Sequence, residues 1–380
     1  MKKLVELIKK EAMLFVSLLA AIAGLIITPP KAGFAAGIDW RTLGTLLMML
    51  CVLEGIKKEN VLRPVESLAS KLKTLTALSL FLIFGVFFTS MFVTNDVSLI
   101  IFVPLTILLF RSGQREEYIL PVISMENIAA IRGSLLMPFG SPQNLFLYGQ
   151  AKGLSFGKFM LHMAPLSVMS AVLLVIFVLV LYRNNVCEEI IFSHESEKWE
   201  KDKKPQRITY FCLFILVLLV IVTRTSLWWA ALIIVLGAIF IADKSVFRRV
   251  DYVLILTFFC FFIFSSSIAG NEKIAAFLSK SVAYHEYWWA IGLSQIISNV
   301  PASIVLYPFT KNFAGLIYGA DTAGLCSLIG SLASVINYRI YVREYPGKGG
   351  AFVKTFTLIS WAFFIIVVIP GYLLTRWSFF

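Results

Sequence analysis

Two stretches of the sequence decide the fold: SMFVTNDVSLIIFVPLT at residues 90–106 and SQIISNVPASIVLYPFT at residues 294–310. They align without a gap, and five positions are identical, including Asn95 with Asn299. In each stretch the Asn follows a Thr or a Ser and precedes a Pro by nine residues. Matching polar residues inside apolar segments indicate an internal repeat.

The composition around these stretches is that of a membrane protein. Of 380 residues, 59% are hydrophobic and only 15% are charged, and the mean hydropathy is +0.84; a typical soluble protein carries about 25% charged residues. A soluble enzyme is therefore excluded. The net charge of +12 lies in short segments between apolar runs, so it indicates topology and not nucleic-acid binding. An all-α polytopic membrane protein is predicted.

About nine apolar segments are predicted to cross the bilayer, since a crossing needs about 20 apolar residues. Two further stretches do not fit a simple crossing, because 75–110 is too long for one helix and 286–310 has Ser298-Asn299 in its middle. The nine predicted crossings are 12–28, 40–56, 119–149 (interrupted), 161–182, 209–223, 227–242, 251–268, 320–340 (interrupted) and 355–375.

Charge indicates how the stretch 75–110 runs. The basic segments 57–73 and 111–117 flank it, so both ends are predicted to be cytoplasmic and the stretch to be a re-entrant hairpin with its tip at Asn95. Two short crossings would also leave both flanking segments cytoplasmic, but they would place Asn95 at the outer surface. With a cytoplasmic N-terminus, the hairpin interpretation puts 24 of 34 Lys and Arg residues inside. It also makes 286–310 enter from the opposite face.

The chain therefore divides into two halves of opposite orientation. Residues 1–182 form the first predicted repeat, 183–208 a charged cytoplasmic linker, and 209–380 the second repeat. In each half a hairpin precedes a crossing interrupted by Gly-Ser, at Gly140 and at Gly330. Two inverted repeats with hairpins and broken helices are the pattern of a secondary transporter.

The breaks in these helices are where solute and ion are expected to bind. Irregular backbone survives at membrane depth only when it is buried in protein or lines a wet cavity. Free helix N-termini suit an anion, whereas backbone carbonyls with Ser, Thr and Asn oxygens suit Na⁺. The matched pair Asn95 and Asn299 is the strongest candidate, while Ser90 and Ser294 have the alternative of bonding to their own backbones.

Ionisable residues inside the bilayer are the candidates for coupling. Asp96 is a carboxylate at the predicted hairpin tip, where it could bind a cation or carry a proton. Arg132 lies within a predicted crossing, and it could form a purely structural ion pair with Asp96 or contact an anionic solute. No His-based metal site is expected, and no cofactor or metal beyond Na⁺.

The segments SMFVTNDVSLIIFVPL (90–105), GSPQNL (140–145), SQIISNVPAS (294–303) and IGSLAS (329–334) resemble those of a superfamily of transporters. It contains sodium-coupled divalent-anion and citrate symporters, arsenite permeases and one class of sodium/proton antiporters. The resemblance implies a homodimer with a scaffold domain and an elevator-like transport domain. It implies solute binding by Thr94, Asn95, Asp96, Pro142, Asn144, Ser298 and Asn299, one cation site of Ser90, Thr94, Asn95 and Gly140, and another of Ser294, Ser298 and Asn299 with Gly330 or Ala333.

The sequence departs from the symporter pattern at the hairpin tips. Asp96 stands where those symporters have Thr, and Val300-Pro301 follows the second Asn. A carboxylate at the tip places negative charge beside a would-be dicarboxylate, so an oxyanion is also open as the solute.

The function predicted from the sequence is secondary active transport of a small anion, coupled to Na⁺ or H⁺, across the cell or inner membrane. Arsenite efflux and sodium/proton exchange are alternatives within the same class, and an ion channel is an alternative of a different class. The expected partners are the lipid bilayer, the solute and a second copy of the chain, with no nucleic acid. An enzyme is not expected, because the sequence has no metal-ligand cluster and no Ser/His pair at a recognised spacing.

Overall fold

A computed structural model shows an all-helical protein. Six of its helices are long and apolar enough to cross a membrane, and two shorter apolar helices, Leu14–Ile27 and Trp228–Ala242, accompany them in the described part of the chain. The structure describes residues 12–30, 38–59, 68–69, 72–151, 153–183, 189–190 and 204–376.

In the described residues, seven α-helices lie in the first half and nine in the second. The first seven are α1 (Ala12–Ile27), α2 (Trp40–Lys58), α3 (Leu75–Val93), α4 (Asn95–Ser112), α5 (Ile119–Ser134), α6 (Pro142–Gln150) and α7 (Phe156–Leu181). The next nine are α8 (Lys204–Thr223), α9 (Trp228–Ala242), α10 (Tyr252–Ala269), α11 (Glu272–Val282), α12 (Glu286–Ile297), α13 (Asn299–Leu306), α14 (Phe313–Ala323), α15 (Leu332–Glu344) and α16 (Gly349–Leu374).

Helices α3 and α4 form the first hairpin. Only Thr94 separates them. The chain reverses direction there, as the 3.0 Å hydrogen bond between the Thr89 hydroxyl of α3 and the Ser98 hydroxyl of α4 shows. Nearer the base, the Phe102 ring fills the space beside Gly85. These contacts show that the stretch 75–110 is a helical hairpin. Each of its two arms is long and apolar enough to cross a membrane, so its re-entrant course stays a prediction.

Helices α12 and α13 form the second, shorter hairpin, again with a single residue, Ser298, between them. Its base is closed by Glu286, whose Oε1 accepts the backbone N–H groups of Lys311 at 2.9 Å and Asn312 at 3.0 Å. The two ends of the hairpin therefore lie together, as predicted for 286–310.

The two halves run in opposite directions. Each contains a hairpin, a broken helix and a 26-residue helix in that order, and the two long helices are α7 and α16. Leu166 lies beside Gly371, while Phe177 packs against Phe363 with ring centroids 5.5 Å apart. Residue numbers rise along α7 as they fall along α16, so these equivalent helices are antiparallel and the repeats are inverted.

Helices α2, α8 and α9 pack together in a hydrophobic cluster that also takes in Phe139 and Leu145 at the first break and in α6. Trp228 packs where a side chain at Gly44 would lie, and Tyr210 does the same at Gly55. At one end of this cluster, Lys58 forms an ion pair with Asp243, and that hydrogen bond lowers the pKa of the Asp243 carboxyl below its usual value. We call α2, α8 and α9 the side bundle.

Some element bounds differ from the prediction. The second broken helix spans 313–344 and not 320–340, because its polar residues Asp321, Thr322 and Asn337 are buried inside protein and do not need an apolar window. The amphipathic helix α11 was not predicted, and α8 begins at Lys204, inside the predicted linker. Residues 1–11 and most of 183–208 lie outside the described residues. The crossing count and the cytoplasmic N-terminus stay predictions.

Candidate solute and ion site at the hairpin tips

The tips of the two hairpins have the same unusual backbone. Thr94 has φ 74° and ψ 155°, and Ser298 has φ 70° and ψ 160°. Residues other than glycine rarely adopt this region, which costs about 1–3 kcal/mol and is found where surrounding structure enforces it. Neither side chain caps the helix that follows, so the N–H groups of the first turns of α4 and α13 are left to other partners.

Each tip docks on the break of the broken helix in its own repeat. The Asn95 N–H donates to the Gly140 carbonyl at 3.1 Å, and the Asn299 N–H donates to the Gly330 carbonyl at 3.2 Å. The structure thus brings together both predicted pairs, Asn95 with Gly140 and Asn299 with Gly330. The same contact at both tips shows that the repeats share their structure at the site.

Both breaks require glycine. A Cβ atom at Gly140 would lie 2.4 Å from the Ser134 carbonyl oxygen, and one at Gly330 would lie 2.3 Å from the Ala323 carbonyl oxygen. Contacts this short would force the backbone to move. The Gly of each Gly-Ser pair therefore lets the loop fold tightly over the end of the preceding helix.

Two helices begin at these breaks, close to the tips. Ser141 is the N-cap of α6, where its hydroxyl accepts the Asn144 N–H at 3.4 Å, and Pro142 is the first helical residue. Ser331 takes the same position before α15, and Ala333 is buried in the first turn. The helix N-termini that the sequence predicted at the breaks are thus present in both repeats.

Several oxygen atoms at the tips and breaks are buried and have no hydrogen-bond donor. They are Asp96 Oδ1, Gln143 Oε1, Asn144 Oδ1 and Ser298 Oγ. Buried polar atoms are usually paired, so unpaired ones in a group need an explanation. Oxygen atoms of this kind are the ligands that Na⁺ prefers, so the donor set fits a sodium ion.

Other predicted ligands are satisfied within the protein. The Ser90 hydroxyl donates to the Phe87 carbonyl at 2.9 Å, and the Ser294 hydroxyl donates to the Ala290 carbonyl at 2.6 Å. These two side chains thus bond to the backbones of their own helices, although their oxygens keep lone pairs that could face an ion. The Asn95 Oδ1 accepts the Asp96 N–H at 2.9 Å.

Arg132 does not pair with Asp96, and that sequence-based alternative is wrong. Its guanidinium forms an ion pair with Asp321 and a hydrogen bond to the Thr322 hydroxyl at 3.3 Å. Arg132 is 0% exposed and Asp321 is 1% exposed. Arg132 prefers Asp321 because both lie at the inner ends of broken helices, whereas Asp96 lies on a hairpin. The sequence analysis missed Asp321, although an acidic residue inside the predicted crossing 320–340 was a signal.

Arg132 and Asp321 occupy equivalent positions in the two repeats. Ser134 and Ala323 supply the carbonyls that approach the two break glycines, and each charged residue lies two positions earlier. The ion pair therefore joins the two breaks directly. Through it, the Asn95 and Asn299 tips belong to one connected polar centre.

Comparisons with known proteins agree with this architecture. A family model described as citrate transporter matches residues 5–315. The chain is 31% identical to the inner membrane protein YbiR of Escherichia coli, over 82% of each chain. It is 28% identical to an uncharacterised transporter of Methanocaldococcus jannaschii, over 90% of this chain and 91% of that one.

A solved structure shares the fold at low sequence identity. The YdaH transporter of Alcanivorax borkumensis, described as having an unusual topology, superposes with a TM-score of 0.58 at 13% identity, over 92% of this chain and 88% of that one.

Two inverted repeats of membrane-length helices, with hairpins docked on broken helices, define a multi-pass membrane transporter and not an enzyme. The match over most of its length places the chain more narrowly: it belongs to the citrate transporter family.

Proposed function

We propose that this protein is a secondary active transporter of a small anion, coupled to Na⁺ or H⁺. The observation that carries the proposal is the repeated docking of a positive-φ hairpin tip on a break glycine, at Asn95 with Gly140 and at Asn299 with Gly330. The helix N-termini at the tips and breaks suit the anion, and the unpaired oxygens suit the cation. An anion and a cation bound together would screen each other's charge.

The proposed solute is a citrate-like di- or tricarboxylate, or a smaller oxyanion. The family's description supports the carboxylates. The half-buried Asp96 at the first tip supports a solute of lower charge, unless a cation neutralises its carboxylate. Solute binding would involve Thr94, Asn95, Asp96, Pro142, Asn144, Ser298 and Asn299.

The proposed mechanism is an elevator within a homodimer in the inner membrane. The side bundle contacts the repeats at the end of α6, where Arg224 donates to the Ala151 carbonyl at 2.8 Å and lies over the Tyr148 ring. A hydrogen bond from Gln150 to Asp39 at 2.6 Å and the packing of Phe139 and Leu145 join the same two parts, so these contacts would have to break for the repeats to slide as a body along α2, α8 and α9. In this mechanism the side bundle is the scaffold.

Uptake by proteoliposomes tests the proposal. Citrate, succinate and arsenite would be offered under an imposed inward Na⁺ gradient, an imposed pH gradient, or neither. We expect accumulation of one solute with one gradient, because coupling requires the ion to move with or against the solute. Uptake that ignores both gradients, or unitary currents in planar bilayers, would contradict the proposal; the latter would indicate a channel.

Variants connect the uptake to the tips. N95A and N299A should each reduce uptake by about tenfold or more, since each removes a polar group of the site worth on the order of 1.4 kcal/mol. The matched control is N271A, which removes an Asn that caps α11 away from the tips. We expect N271A to lower stability by about 1 kcal/mol and to leave the uptake rate of the folded protein unchanged.

A further inference from the structure

A carboxylate outside the hairpin tips is buried without a positive partner. Glu126 on α5 is 0% exposed, and the Thr106 hydroxyl of α4 donates to its Oε1. Its Oε2 has no hydrogen-bond donor. A buried carboxylate is costly unless a positive charge or a proton neutralises it, so this group needs an occupant that the side chains do not provide.

Among the described residues, no positively charged side chain of the surrounding elements pairs with Glu126. Helices α3, α4, α7, α15 and α16 pack against α5, and α3 carries no titratable side chain. The other elements packed against α5 do carry titratable side chains, but none of these side chains forms an ion pair or a hydrogen bond with Glu126. They are Asp96 and Arg111 on α4, Arg132 on α5, Lys158 and His162 on α7, Tyr338, Arg339, Tyr341, Arg343 and Glu344 on α15, Lys354 and Tyr372 on α16, and Glu116, Glu117 and Tyr118 on the 3-10 helix before α5.

Two buried amides beside Glu126 leave their oxygens unpaired. The Asn127 amide donates to the Ser334 hydroxyl at 3.0 Å, and the Asn337 amide donates to the Ile123 carbonyl at 2.7 Å. Both side chains are 0% exposed, and the Oδ1 of each has no donor. Side chains with unpaired carboxyl and amide oxygens thus lie on, or bond to, the turn 123–127 of α5.

The inverted repeat has a different residue at the position of this carboxylate. Thr106 matches Thr310 in the aligned hairpins, and the Thr310 hydroxyl oxygen is buried without a partner. Counting back from the equivalent residues Ser134 and Ala323, the position that matches Glu126 is Gly315. In the second repeat the nearby buried carboxylate is that of Glu286, which lies against Gly315 and accepts two backbone N–H groups.

We infer that Glu126, supported by Thr106, Asn127 and Asn337, is a second ion site that takes one monovalent positive charge, a proton or a sodium ion. The site lies among α4, α5 and α15, and Asn127 connects it through Ser334 to the second break. This inference rests on the proposed function, because the site would supply its coupling ion. Arg132 lies further along α5 than Glu126. Binding of a positive charge at Glu126 would therefore change the charge near the Arg132–Asp321 ion pair, which links the two breaks.

Thermal unfolding of the purified full-length protein, without solute, tests the site. The melting temperature would be followed against Na⁺, with choline holding the ionic strength constant, at several pH values. If the occupant is Na⁺, we expect a rise of about 2–4 °C per tenfold increase above its dissociation constant. If it is a proton, stability should be greatest at low pH and fall as pH rises through the titration of Glu126, with no effect of Na⁺.

Variants identify which residue is responsible. E126Q, which resembles the protonated side chain, should abolish whichever dependence the wild type shows. T106V should weaken it, and the matched variant T310V should leave it unchanged, because the Thr310 hydroxyl forms no hydrogen bond to a carboxylate. The T106V and T310V pair keeps the test decisive if E126Q does not fold.

The same measurement separates this site from the tips. Identical Na⁺ and pH dependence in the wild type and E126Q, or equal effects of T106V and T310V, would overturn the inference. So would Na⁺ stabilisation that N299A removes and E126Q keeps, since the ion would then bind at the tips. Ion dependence that requires Glu126, with no solute uptake, would support the site and reject the proposed function.

Discussion

At the scale of residues, the ion pair between Arg132 and Asp321 is the central interaction of the site. Both side chains are buried, and Tyr287 and Thr322 border them. A charge left alone there would be far more costly than the pair itself, because the bilayer interior and the protein core offer no water. The pair consequently holds the two breaks in a fixed relation.

Breaking this pair should destabilise the protein strongly. R132M or D321N alone is expected to cost about 3–5 kcal/mol, whereas the double variant R132M/D321L should cost less than either single variant, because no charge is stranded. The exchanged variant R132D/D321R should also recover stability, since the two positions are equivalent. Denaturant unfolding in detergent checks these values, and a double variant that is worse than both singles would contradict them.

At the scale of elements, each hairpin and broken helix forms one docked unit. The tip N–H groups and break carbonyls meet at 3.1 and 3.2 Å, and the glycines allow the breaks to close. Local chain geometry therefore sets the position of the site, and side chains contribute the ligands.

A methyl group added at either break should open the docked unit. G140A and G330A place a Cβ atom 2.4 and 2.3 Å from a carbonyl oxygen, so we expect a loss of about 1–3 kcal/mol and at least tenfold slower uptake. The control is G292A on α12, where nothing lies within 4 Å. Thermal unfolding and uptake by proteoliposomes provide the two readouts; uptake by G140A equal to that of G292A would contradict the expectation.

Much of the arrangement of helices, hairpins and breaks could be predicted from the sequence. The hairpins, both breaks and the inversion follow from paired polar residues in apolar stretches, because lipid tolerates irregular backbone only at such places. The partner of Arg132 could not be predicted, because it depends on how two distant helices approach each other. The helix α11 was missed because its mixed polarity suits an interface and gives no crossing signal.

At the scale of the whole molecule, the side bundle and the two repeats are candidates for separate rigid bodies. Their contact at Arg224, Ala151 and Tyr148 lies at one end of α6. An elevator needs this contact to break in each cycle, whereas contacts within the side bundle must persist.

Cross-linking distinguishes these two kinds of contact. In a background without the native cysteines, A151C and R224C joined by a short cleavable reagent should stop transport, and cleavage should restore it. The control pair, G55C with Y210C, joins α2 to α8 within the side bundle and should leave transport intact. Full transport with the first pair joined would show that the two bodies do not move apart there.

The matching places of Arg132 and Asp321 also bear on the origin of the chain. If a half-length precursor had paired with an inverted copy of itself, identical side chains would have faced each other across the pseudo-symmetry axis, and two arginines or two aspartates would have repelled. Opposite charges at these positions thus require two halves of different sequence, and a half paired with its own copy would lack this ion pair.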